Sequence, residues 1–433
     1  MKFLLINPPV YDFACYDLWM RPLGLLRLAT MLEKMGDVFY LDCMDRGEEG
    51  VSEREDEFGC GKFYKEEVEK PECLKGISRP YFRYGLKKGR VIEILDTFPT
   101  PDFVFITTGM TYWYPGVEEM VQMLRRRYPG IPIYAGGIYA TLLPEHAKQR
   151  GVNGVFVGED YQLLEKFLRE ITGKEVRITK IPFPRLEFLK RRDSFVLETS
   201  QGCPFRCAYC ASYLLHPTFS TRSVEEVMEE LDYFQDIGVK HIALYDDAFL
   251  FRPETHALPI LKEIEKRNYN FTFHTPNGLH ARFLNEEIAY LLKKTGFITV
   301  RLSLETSRKD LQEKTGSKVK NEELERAVKN LQKAGYLPSQ IDVYLMLGLP
   351  GSEKEDLRES ILYVNSLGCR VILANFSPIP GTPLWRELEE EGIVKEKMDP
   401  LWHNNTIFPL RLGWSLQEIR EWRLWVKELN GRV

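Results

Sequence analysis

The stretch that decides the fold is Thr199-Ser200-Gln201-Gly202-Cys203-Pro204-Phe205-Arg206-Cys207-Ala208-Tyr209-Cys210. It places three cysteines directly after an apolar run that ends at Thr199. A cubane iron–sulfur cluster takes one thiolate per iron, so a cluster held by this loop alone keeps one iron open to a chelating small molecule. A zinc site completed by His216 is the alternative, although closed zinc sites usually pair their ligands as Cys-x2-Cys.

The cysteine loop belongs to a long alternation of apolar runs and amphipathic stretches, which predicts six βα units. The predicted strands are Phe195 to Thr199, His241 to Tyr245, Phe271 to His274, Thr299 to Leu304, Ile341 to Leu347 and Val371 to Phe376. The predicted helices are Val224 to Ile237, Thr255 to Arg267, Glu286 to Lys294, Glu322 to Ala334 and Lys354 to Ser366. The loop would then lie at the carboxyl end of the first strand, where barrels of this kind build their chemistry.

The first 175 residues show a second alternation, typical of an open α/β domain. The predicted strands are Phe3 to Ile6, Val38 to Leu41, Phe103 to Thr107, Ile131 to Ala135 and Val152 to Val157. The predicted helices are Leu23 to Met35, Gly116 to Arg127, Leu143 to Arg150 and Tyr161 to Ile171. The segment 45–90 interrupts the pattern, and we interpret this insertion as a lid in preference to a simple surface excursion.

The chain is therefore expected to contain an α/β domain over 1–175, a linker over 176–193, a partial barrel over 194–400 and a tail over 401–433. One amphipathic helix is predicted in the tail, from Ser415 to Lys427.

Composition excludes several classes of protein. The 433 residues carry a net charge of −4 without a concentrated basic face, so we expect small-molecule or peptide partners and no nucleic acid. No stretch approaches the roughly 20 apolar residues that span a bilayer. The eight cysteines show no regular disulfide spacing, which favours a reducing compartment and a cytoplasmic location.

The spacing Cys203-x3-Cys207-x-Tyr209-Cys210 resembles the signature of the radical S-adenosylmethionine (SAM) enzymes. Four further motifs at predicted strand ends are similar to that superfamily: Tyr245-Asp246-Asp247-Ala248-Phe249, Leu304-Glu305-Thr306, Gly348-Leu349-Pro350-Gly351 and Pro378-Ile379-Pro380-Gly381-Thr382-Pro383. The resemblance implies a partial (βα)6 barrel of the TIM type. It also implies that the three cysteines are the catalytic ligands of a [4Fe–4S] cluster.

The same resemblance implies which residues bind SAM: Tyr209, Asp247, Glu305, Gly348 and Pro380. Tyr209 would lie beside the adenine. Carboxylates can bind the amino group or the ribose of SAM, and glycines allow the backbone to approach it closely. For Asp246 and Asp247, an equally simple interpretation is that they cap a loop.

The amino-terminal domain resembles the Rossmann-like domain of the cobalamin-binding subgroup of the superfamily. The similar pieces are Asn7-Pro8-Pro9, Trp19-Met20-Arg21-Pro22-Leu23-Gly24, Thr107-Thr108-Gly109, Ala135-Gly136-Gly137 and Gly158-Glu159-Asp160. The resemblance implies that cobalamin contacts Asn7, Thr107, Thr108, Gly136, Gly137 and Glu159. The alternative is that the glycine pair forms a tight strand-to-helix turn that contacts no ligand.

One position departs from the classical cobalamin motif Asp-x-His-x-x-Gly. The corresponding stretch is Asp42-Cys43-Met44-Asp45-Arg46-Gly47, and no histidine precedes His146. A thioether cannot take part in the aspartate–histidine pairing of that motif. We therefore expect no imidazole ligand to cobalt from this stretch.

Together these resemblances imply a cobalamin-dependent radical SAM methyltransferase that cleaves SAM reductively to a 5′-deoxyadenosyl radical and methylates an unactivated carbon. They also imply an electron donor such as flavodoxin or ferredoxin, and Arg21 is a candidate contact with the substrate. Within radical chemistry, the alternatives are cyclisation, rearrangement or oxidation without methyl transfer. Sulfur insertion is disfavoured because the other cysteines lack compact cluster spacing. A non-catalytic corrinoid-binding regulator is the alternative from another class.

Overall fold

The computed structural model describes all 433 residues and divides into two compact units. The first contains Met1–Ser194 together with Asp399–Asn404, and the second contains Phe195–Met398 together with Asn405–Val433. Residues 176–193, treated above as a linker, are part of the first unit: the backbone N–H of Lys190 donates a hydrogen bond of 2.6 Å to the Asp45 carboxylate. The expected tail also divides, because its first residues cluster with the first unit.

The first unit is built on a parallel five-stranded sheet. The strands of the whole unit, including those outside this sheet, are β1 (Lys2–Asn7), β2 (Val10–Asp12), β3 (Tyr16–Asp17), β4 (Asp37–Asp42), β5 (Ser52–Glu55), β6 (Gly61–Phe63), β7 (Lys65–Val68), β8 (Tyr81–Tyr84), β9 (Phe103–Thr108), β10 (Ile133–Gly137) and β11 (Gly154–Val155). Its helices are α1 (Leu23–Leu32), α2 (Lys88–Thr97), α3 (Tyr114–Arg127), α4 (Ile138–Leu142), α5 (Pro144–Lys148) and α6 (Tyr161–Thr172). The order β11-β10-β9-β1-β4 is that of a doubly wound fold, which confirms the α/β class.

Strand β1 shows why this sheet is buried on both faces. Phe3 and Leu5 contribute to one apolar cluster, whereas Leu4 and Ile6 contribute to another. Since successive side chains of a strand point to opposite faces, the continuous apolar run of β1 is the expected sequence for a central parallel strand.

One predicted helix of this unit is preceded by another helix, and one predicted strand is shorter than expected. The helix predicted over Leu143 to Arg150 is present as α5, and the short helix α4 ends just before it. Pro144 begins α5 and has no backbone N–H to continue α4. The last strand contains only Gly154 and Val155, far fewer residues than the apolar run suggested.

The insertion 45–90 is folded into small antiparallel sheets. Strand β8 pairs with β2 and β7, and β6 pairs with β3 and β5. These strands are only three or four residues long, which explains the weak periodicity of the segment. Each sheet includes a strand from residues 10–17, so the insertion has a fixed place in the first unit.

The second unit contains all six predicted βα strands. Its strands are β12 (Ser194–Leu197), β13 (Ser200–Gln201), β14 (Ser220–Thr221), β15 (His241–Leu244), β16 (Thr272–His274), β17 (Phe297–Glu305), β18 (Ile341–Leu347) and β19 (Arg370–Asn375). Its helices are α7 (Ser212–Leu215), α8 (Val224–Ile237), α9 (Ala257–Arg267), α10 (Glu286–Lys294), α11 (Lys309–Lys314), α12 (Asn321–Lys333), α13 (Lys354–Ser366), α14 (Pro383–Glu390) and α15 (Leu416–Asn430). The main sheet runs β12-β15-β16-β17-β18-β19.

Because the strands of this sheet follow chain order and the registered neighbours are parallel, their carboxyl ends meet at one edge. That edge collects the loops after each strand, including the cysteine loop. None of the helices has the length and apolar character that a bilayer crossing requires.

Candidate active site

The cysteine loop leaves the carboxyl end of β12 inside a short antiparallel ribbon. Ser200 pairs with Thr221, and Gln201 pairs with Ser220. Gly202 follows with φ +77°, and a Cβ there would lie 2.9 Å from the Thr218 carbonyl oxygen. Glycine is therefore required where the loop turns toward its first cysteine.

Other loops of the same unit hold the cysteine loop in place. The N–H of Ala208 donates to the Thr315 carbonyl at 3.0 Å, and the Ala208 carbonyl accepts from the Leu384 N–H at 2.9 Å. Gly316 packs so closely that an added Cβ would lie 3.2 Å from the Cys207 Cα. The loop geometry therefore depends on segments more than 100 residues away in sequence.

The three thiols of the loop are free, with Cys207 buried and the other two half-buried. Burial raises the pKa of Cys203 to about 11 and of Cys210 to about 12, while the positive charge of Lys318 opposes that rise. No three His, Cys, Asp or Glu side chains of the protein converge closely enough to hold a single metal ion. The zinc alternative requires His216 and the thiols to meet at one ion, whereas a cubane takes each thiolate on a different iron.

Two carboxylates lie at neighbouring strand ends and interact with these thiols. Asp247 accepts a hydrogen bond from the Ser212 hydroxyl, and burial raises its pKa. Its charge also acts on Cys203 and Cys210. Glu305 ends β17 in the left-handed region with φ +68°, an uncommon conformation for a residue with a side chain.

Glu305 is half-buried, and burial raises its pKa while Lys318 and the Tyr209 side chain lower it. The Tyr209 ring packs against the apolar cluster of Leu349 and Phe376. The structure therefore brings Tyr209, Asp247 and Glu305 together around the cysteine loop.

Asp246 has a different environment from its neighbour. It is buried and accepts hydrogen bonds from the Thr199 N–H at 3.1 Å, the Thr199 hydroxyl at 2.6 Å and the Ser200 hydroxyl at 2.6 Å. All three of these donors lie in the strand end and ribbon that lead to the cysteine loop. Asp246 therefore holds the base of the loop, which agrees with the capping interpretation for this residue.

The remaining SAM candidates lie after β18 and β19. Gly348 has φ +77°, and Pro380 is half-buried. Next to Pro380, the Gly381 carbonyl lies 3.5 Å from the Tyr213 hydroxyl on α7, the helix that follows the cysteine loop. The motif around Pro380 thus reaches the neighbourhood of the cysteines.

Lys318 is a site residue that sequence reasoning missed. Its charge acts on Cys203, Cys207, Cys210, Asp247 and Glu305. Its loop lies against the cysteine loop through Gly316, between α11 and α12. Nothing in the local sequence Gly316-Ser317-Lys318-Val319 marks it, because only the packing of that loop brings the ammonium close to the thiols.

The cobalamin candidates of the first unit lie along the carboxyl edge of its sheet. Asn7 ends β1, Thr107 and Thr108 end β9, and Gly136 and Gly137 end β10. Strands β1 and β9 are adjacent although β4 comes between them in the chain, so the strand order reverses there. Such a switch point is where open α/β sheets bind their ligands.

Several of these groups already have partners. Asn7 donates to Asp42 at 2.6 Å. Thr108 donates to the Gly136 carbonyl at 2.8 Å and accepts from the Ala140 N–H at 3.1 Å. These side chains therefore form hydrogen bonds with one another and with the backbone along the carboxyl edge of the sheet.

The edge is nevertheless open at two glycines. A Cβ at Gly136 would meet its nearest neighbour at 3.7 Å, and one at Gly158 would meet nothing within 4 Å. Glu159 follows Gly158 and is half-buried. Backbone at these two strand ends can therefore approach a bound molecule.

Met44 does not supply a ligand at this edge. It is only 4% exposed and packs in the apolar core of the first unit. An added Cβ at Gly85 would lie 2.8 Å from its sulfur, which shows how tightly the thioether is enclosed.

Arg21 is bound inside the first unit. It forms an ion pair of 2.9 Å with Asp17, whose side chain is fully buried. The aromatic run that follows β9 is also packed inward: Trp113 Nε1 donates to Asp12 at 2.7 Å and the Tyr114 hydroxyl lies 3.1 Å from Asp399. The geometry gives Arg21 a structural role.

Comparison with known proteins relates part of the chain to a protein superfamily. Residues 197–364 match the model of the Radical SAM superfamily, and this range includes the cysteine loop, Asp247, Glu305 and Gly348. This part of the chain therefore matches a Radical SAM domain. Such a domain implies a [4Fe–4S] cluster and SAM, and the three free thiols on one loop fit the cluster.

The chain is 26% identical over 407 residues to an uncharacterized methyltransferase of Pyrococcus horikoshii, covering 89% of this chain and 82% of the relative. It superimposes with a TM-score of 0.66 and 18% identity on TsrM of Kitasatospora setae, a radical SAM methyltransferase solved with cobalamin and a [4Fe–4S] cluster, over 90% of this chain and 78% of that one. The cobalamin-dependent radical SAM enzyme OxsB gives a TM-score of 0.63 at 16% identity, over 91% and 62%. At these identities the solved structures establish the fold.

Proposed function

We propose that the protein is a cobalamin-dependent radical SAM methyltransferase that acts on an unactivated carbon of a small molecule or peptide. The observation that carries the proposal is the arrangement of three free thiols with Asp247, Glu305 and Lys318 at one strand edge. Both charge types that a SAM methionyl group requires are available there, since carboxylates can bind its ammonium and an ammonium can bind its carboxylate.

The protein itself would position the cofactors and limit the access of water to the reaction. Cys203, Cys207 and Cys210 would hold the cluster, which when bound supplies the electron that cleaves SAM to methionine and a 5′-deoxyadenosyl radical. Cys207 is buried, which would limit the access of water to the place where that radical would form. The strained backbone of Glu305 is the kind of feature that persists at sites where the surrounding structure fixes it.

Cobalamin is proposed for the first unit because its open edge lies at the β1/β9 switch point. Gly136 and Gly158 would let backbone approach the cofactor, with the Thr107 hydroxyl and Glu159 as polar groups nearby. When bound, cobalamin would supply the transferred methyl group. Met44 offers no ligand to cobalt, since its thioether is enclosed in the core.

The relatives support methyl transfer. A methyltransferase name belongs both to the Pyrococcus relative and to TsrM, which was solved with cobalamin. OxsB is named only as a cobalamin-dependent radical enzyme, so cyclisation, rearrangement or oxidation without methyl donation is the second candidate.

The test uses protein reconstituted with iron, sulfide and hydroxocobalamin, and SAM labelled in its methyl group. We expect a corrinoid spectrum at about one equivalent, 5′-deoxyadenosine after reduction with dithionite, and label in an added substrate or in product formed with cell extract. Corrinoid binding and 5′-deoxyadenosine without any labelled product would favour the second candidate. Corrinoid binding without 5′-deoxyadenosine would favour a non-catalytic regulator, and absence of corrinoid would remove cobalamin from the proposal.

A further inference from the structure

A cationic pocket lies beside the cysteine loop in the second unit. Its volume is about 490 Å³, and it lies between the loop after β15 and the start of α10 and α12. The charged side chains that line it are Arg252, Arg282, Arg326 and Glu254. Three positive groups thus face one negative group.

The positive charge of this pocket is only partly balanced by neighbouring acids. Arg282 forms an ion pair with Glu323 at 3.0 Å, whereas Arg252 and Arg326 are exposed and form no ion pair. Arg326 donates a hydrogen bond of 3.0 Å to the Arg282 carbonyl, which holds the two side chains on one surface without neutralising either. Two exposed guanidinium groups of the pocket therefore have no carboxylate partner.

A layer of aromatic rings connects the pocket with the cysteine loop. Phe205, two residues from both Cys203 and Cys207, has its ring centroid 6.0 Å from Phe251 and 6.1 Å from Phe283. Both of these phenylalanines line the pocket. Two residues of chain span at most about 7 Å, so the pocket wall is one ring layer away from the cluster ligands.

One of these arginines also contacts the ring layer. The Arg282 guanidinium lies 5.6 Å from the centre of the Phe205 ring. The surface formed by Arg252, Arg282 and Arg326, which we call the arginine face, therefore lies beside Phe205 of the cysteine loop.

We infer that the arginine face is the docking surface for an acidic one-electron carrier protein. A radical SAM cluster must receive one electron for each SAM that it cleaves, so the carrier must approach the cluster closely. Exposed guanidinium groups attract and orient an acidic surface, which raises the association rate of redox partners.

The proposed step is the transfer of a single electron. The reduced carrier loses one electron and the cluster gains it, passing from the 2+ to the 1+ state, and no bond is made or broken at the arginine face. This inference rests on the proposed radical chemistry, but it concerns a surface that takes no part in binding SAM.

The test compares two double variants of the cluster-loaded protein: Arg252→Glu/Arg326→Glu on the arginine face, and Arg420→Glu/Lys427→Glu on α15 as a control with the same change of charge. Arg420 and Lys427 are exposed. The binding of an acidic bacterial flavodoxin is measured by calorimetry at several salt concentrations. The formation of 5′-deoxyadenosine is measured with reduced flavodoxin and, separately, with dithionite.

We expect the arginine-face variant to bind flavodoxin at least about tenfold more weakly than the control variant at low salt, with the difference shrinking as salt rises. Its flavodoxin-driven rate should fall in parallel, while its dithionite-driven rate equals that of the control. Equal binding and equal flavodoxin-driven rates in both variants would overturn the docking surface. Loss of the dithionite-driven reaction in the unmodified protein would instead overturn the proposed function.

Discussion

Asn7 donates a hydrogen bond of 2.6 Å to Asp42, which joins the carboxyl ends of the adjacent parallel strands β1 and β4. The same carboxylate accepts from the Met44 N–H at 2.8 Å and from the Tyr40 hydroxyl at 3.1 Å. Three donors thus converge on one buried carboxylate at the edge where cobalamin is proposed. Burial, together with the charge of Asp45, nevertheless raises the pKa of Asp42 to about 7.

This shift predicts a pH-dependent cost in stability. Between about pH 4 and pH 7 the carboxyl of Asp42 ionises in the unfolded chain but keeps its proton in the folded protein, so its contribution falls as pH rises and is constant above pH 7. Asp42→Asn removes the ionisable group and keeps an oxygen for the Asn7 amide. We expect the variant to gain on the order of a few kcal/mol relative to the unmodified protein between pH 5 and pH 8.

Urea unfolding at several pH values measures this difference, and Asp37→Asn is the matched control at the other, exposed end of the same strand. The free energy of unfolding of the control should show the same pH dependence as that of the unmodified protein. A pH-independent difference for Asp42→Asn would contradict the shifted pKa.

Removal of one thiol tests the cluster assignment. Cys207→Ala should abolish cluster binding, because the two remaining thiolates cannot serve three irons of a cubane. Iron and sulfide content and the visible absorbance of anaerobically reconstituted protein report the loss. Cys369→Ala is the control, since Cys369 is a buried cysteine outside the loop. Full iron content in Cys207→Ala would refute the assignment.

A pair of glycines separates backbone strain from damage to the cysteine loop. Gly316→Ala and Gly335→Ala both place a side chain at positive φ, +112° and +88°, which costs about 1 kcal/mol or more. Only at Gly316 would the new Cβ press against the Cys207 Cα and the Arg206 carbonyl, at 3.2 and 3.3 Å.

We therefore expect both variants to lose stability in thermal melts, and only Gly316→Ala to lose iron after reconstitution. Equal iron content in the two variants would show that the loop tolerates displacement from this side.

A buried ion pair supports the start of the second unit. Arg222 and Glu230 form an ion pair with side chains that are 3% and 1% exposed. Glu230→Ala leaves the guanidinium buried without its charge partner, which should cost about 3 kcal/mol. Glu287→Ala breaks the exposed pair with Lys262 and should cost less than about 1 kcal/mol. Urea titration compares the free energies of unfolding of the two variants. Similar losses would contradict the expectation that the buried ion pair stabilises the protein more than the exposed one.

Much of the fold could be predicted because both sheets are parallel and buried. Strands such as β1 and β18 read as continuous apolar runs, and helices such as α8 begin at a capping box and end at a left-handed glycine. These signals are local, so they survive without knowledge of neighbours. The insertion 45–90 was harder, because strands of three or four residues carry too little periodicity to be recognised.

The candidate site was only partly predictable. Asp246 and Asp247 are adjacent in sequence, yet one holds the ribbon and the other faces the thiols. Arg21 stays a predicted substrate contact, and only the structure shows that it forms an ion pair with Asp17. Partners such as these depend on loops that fold together from distant segments.

The sequence by itself determined the two alternating domains, the three-cysteine loop and the absence of a histidine near Asp42. Each of these depends on residue type and spacing along one stretch of chain. Only the tertiary structure decided that Lys318 lies by the thiols, that Met44 is enclosed in the core, and that Arg252, Arg282 and Arg326 line one pocket beside Phe205. Charge and burial act through space, and the folding of the chain sets those distances.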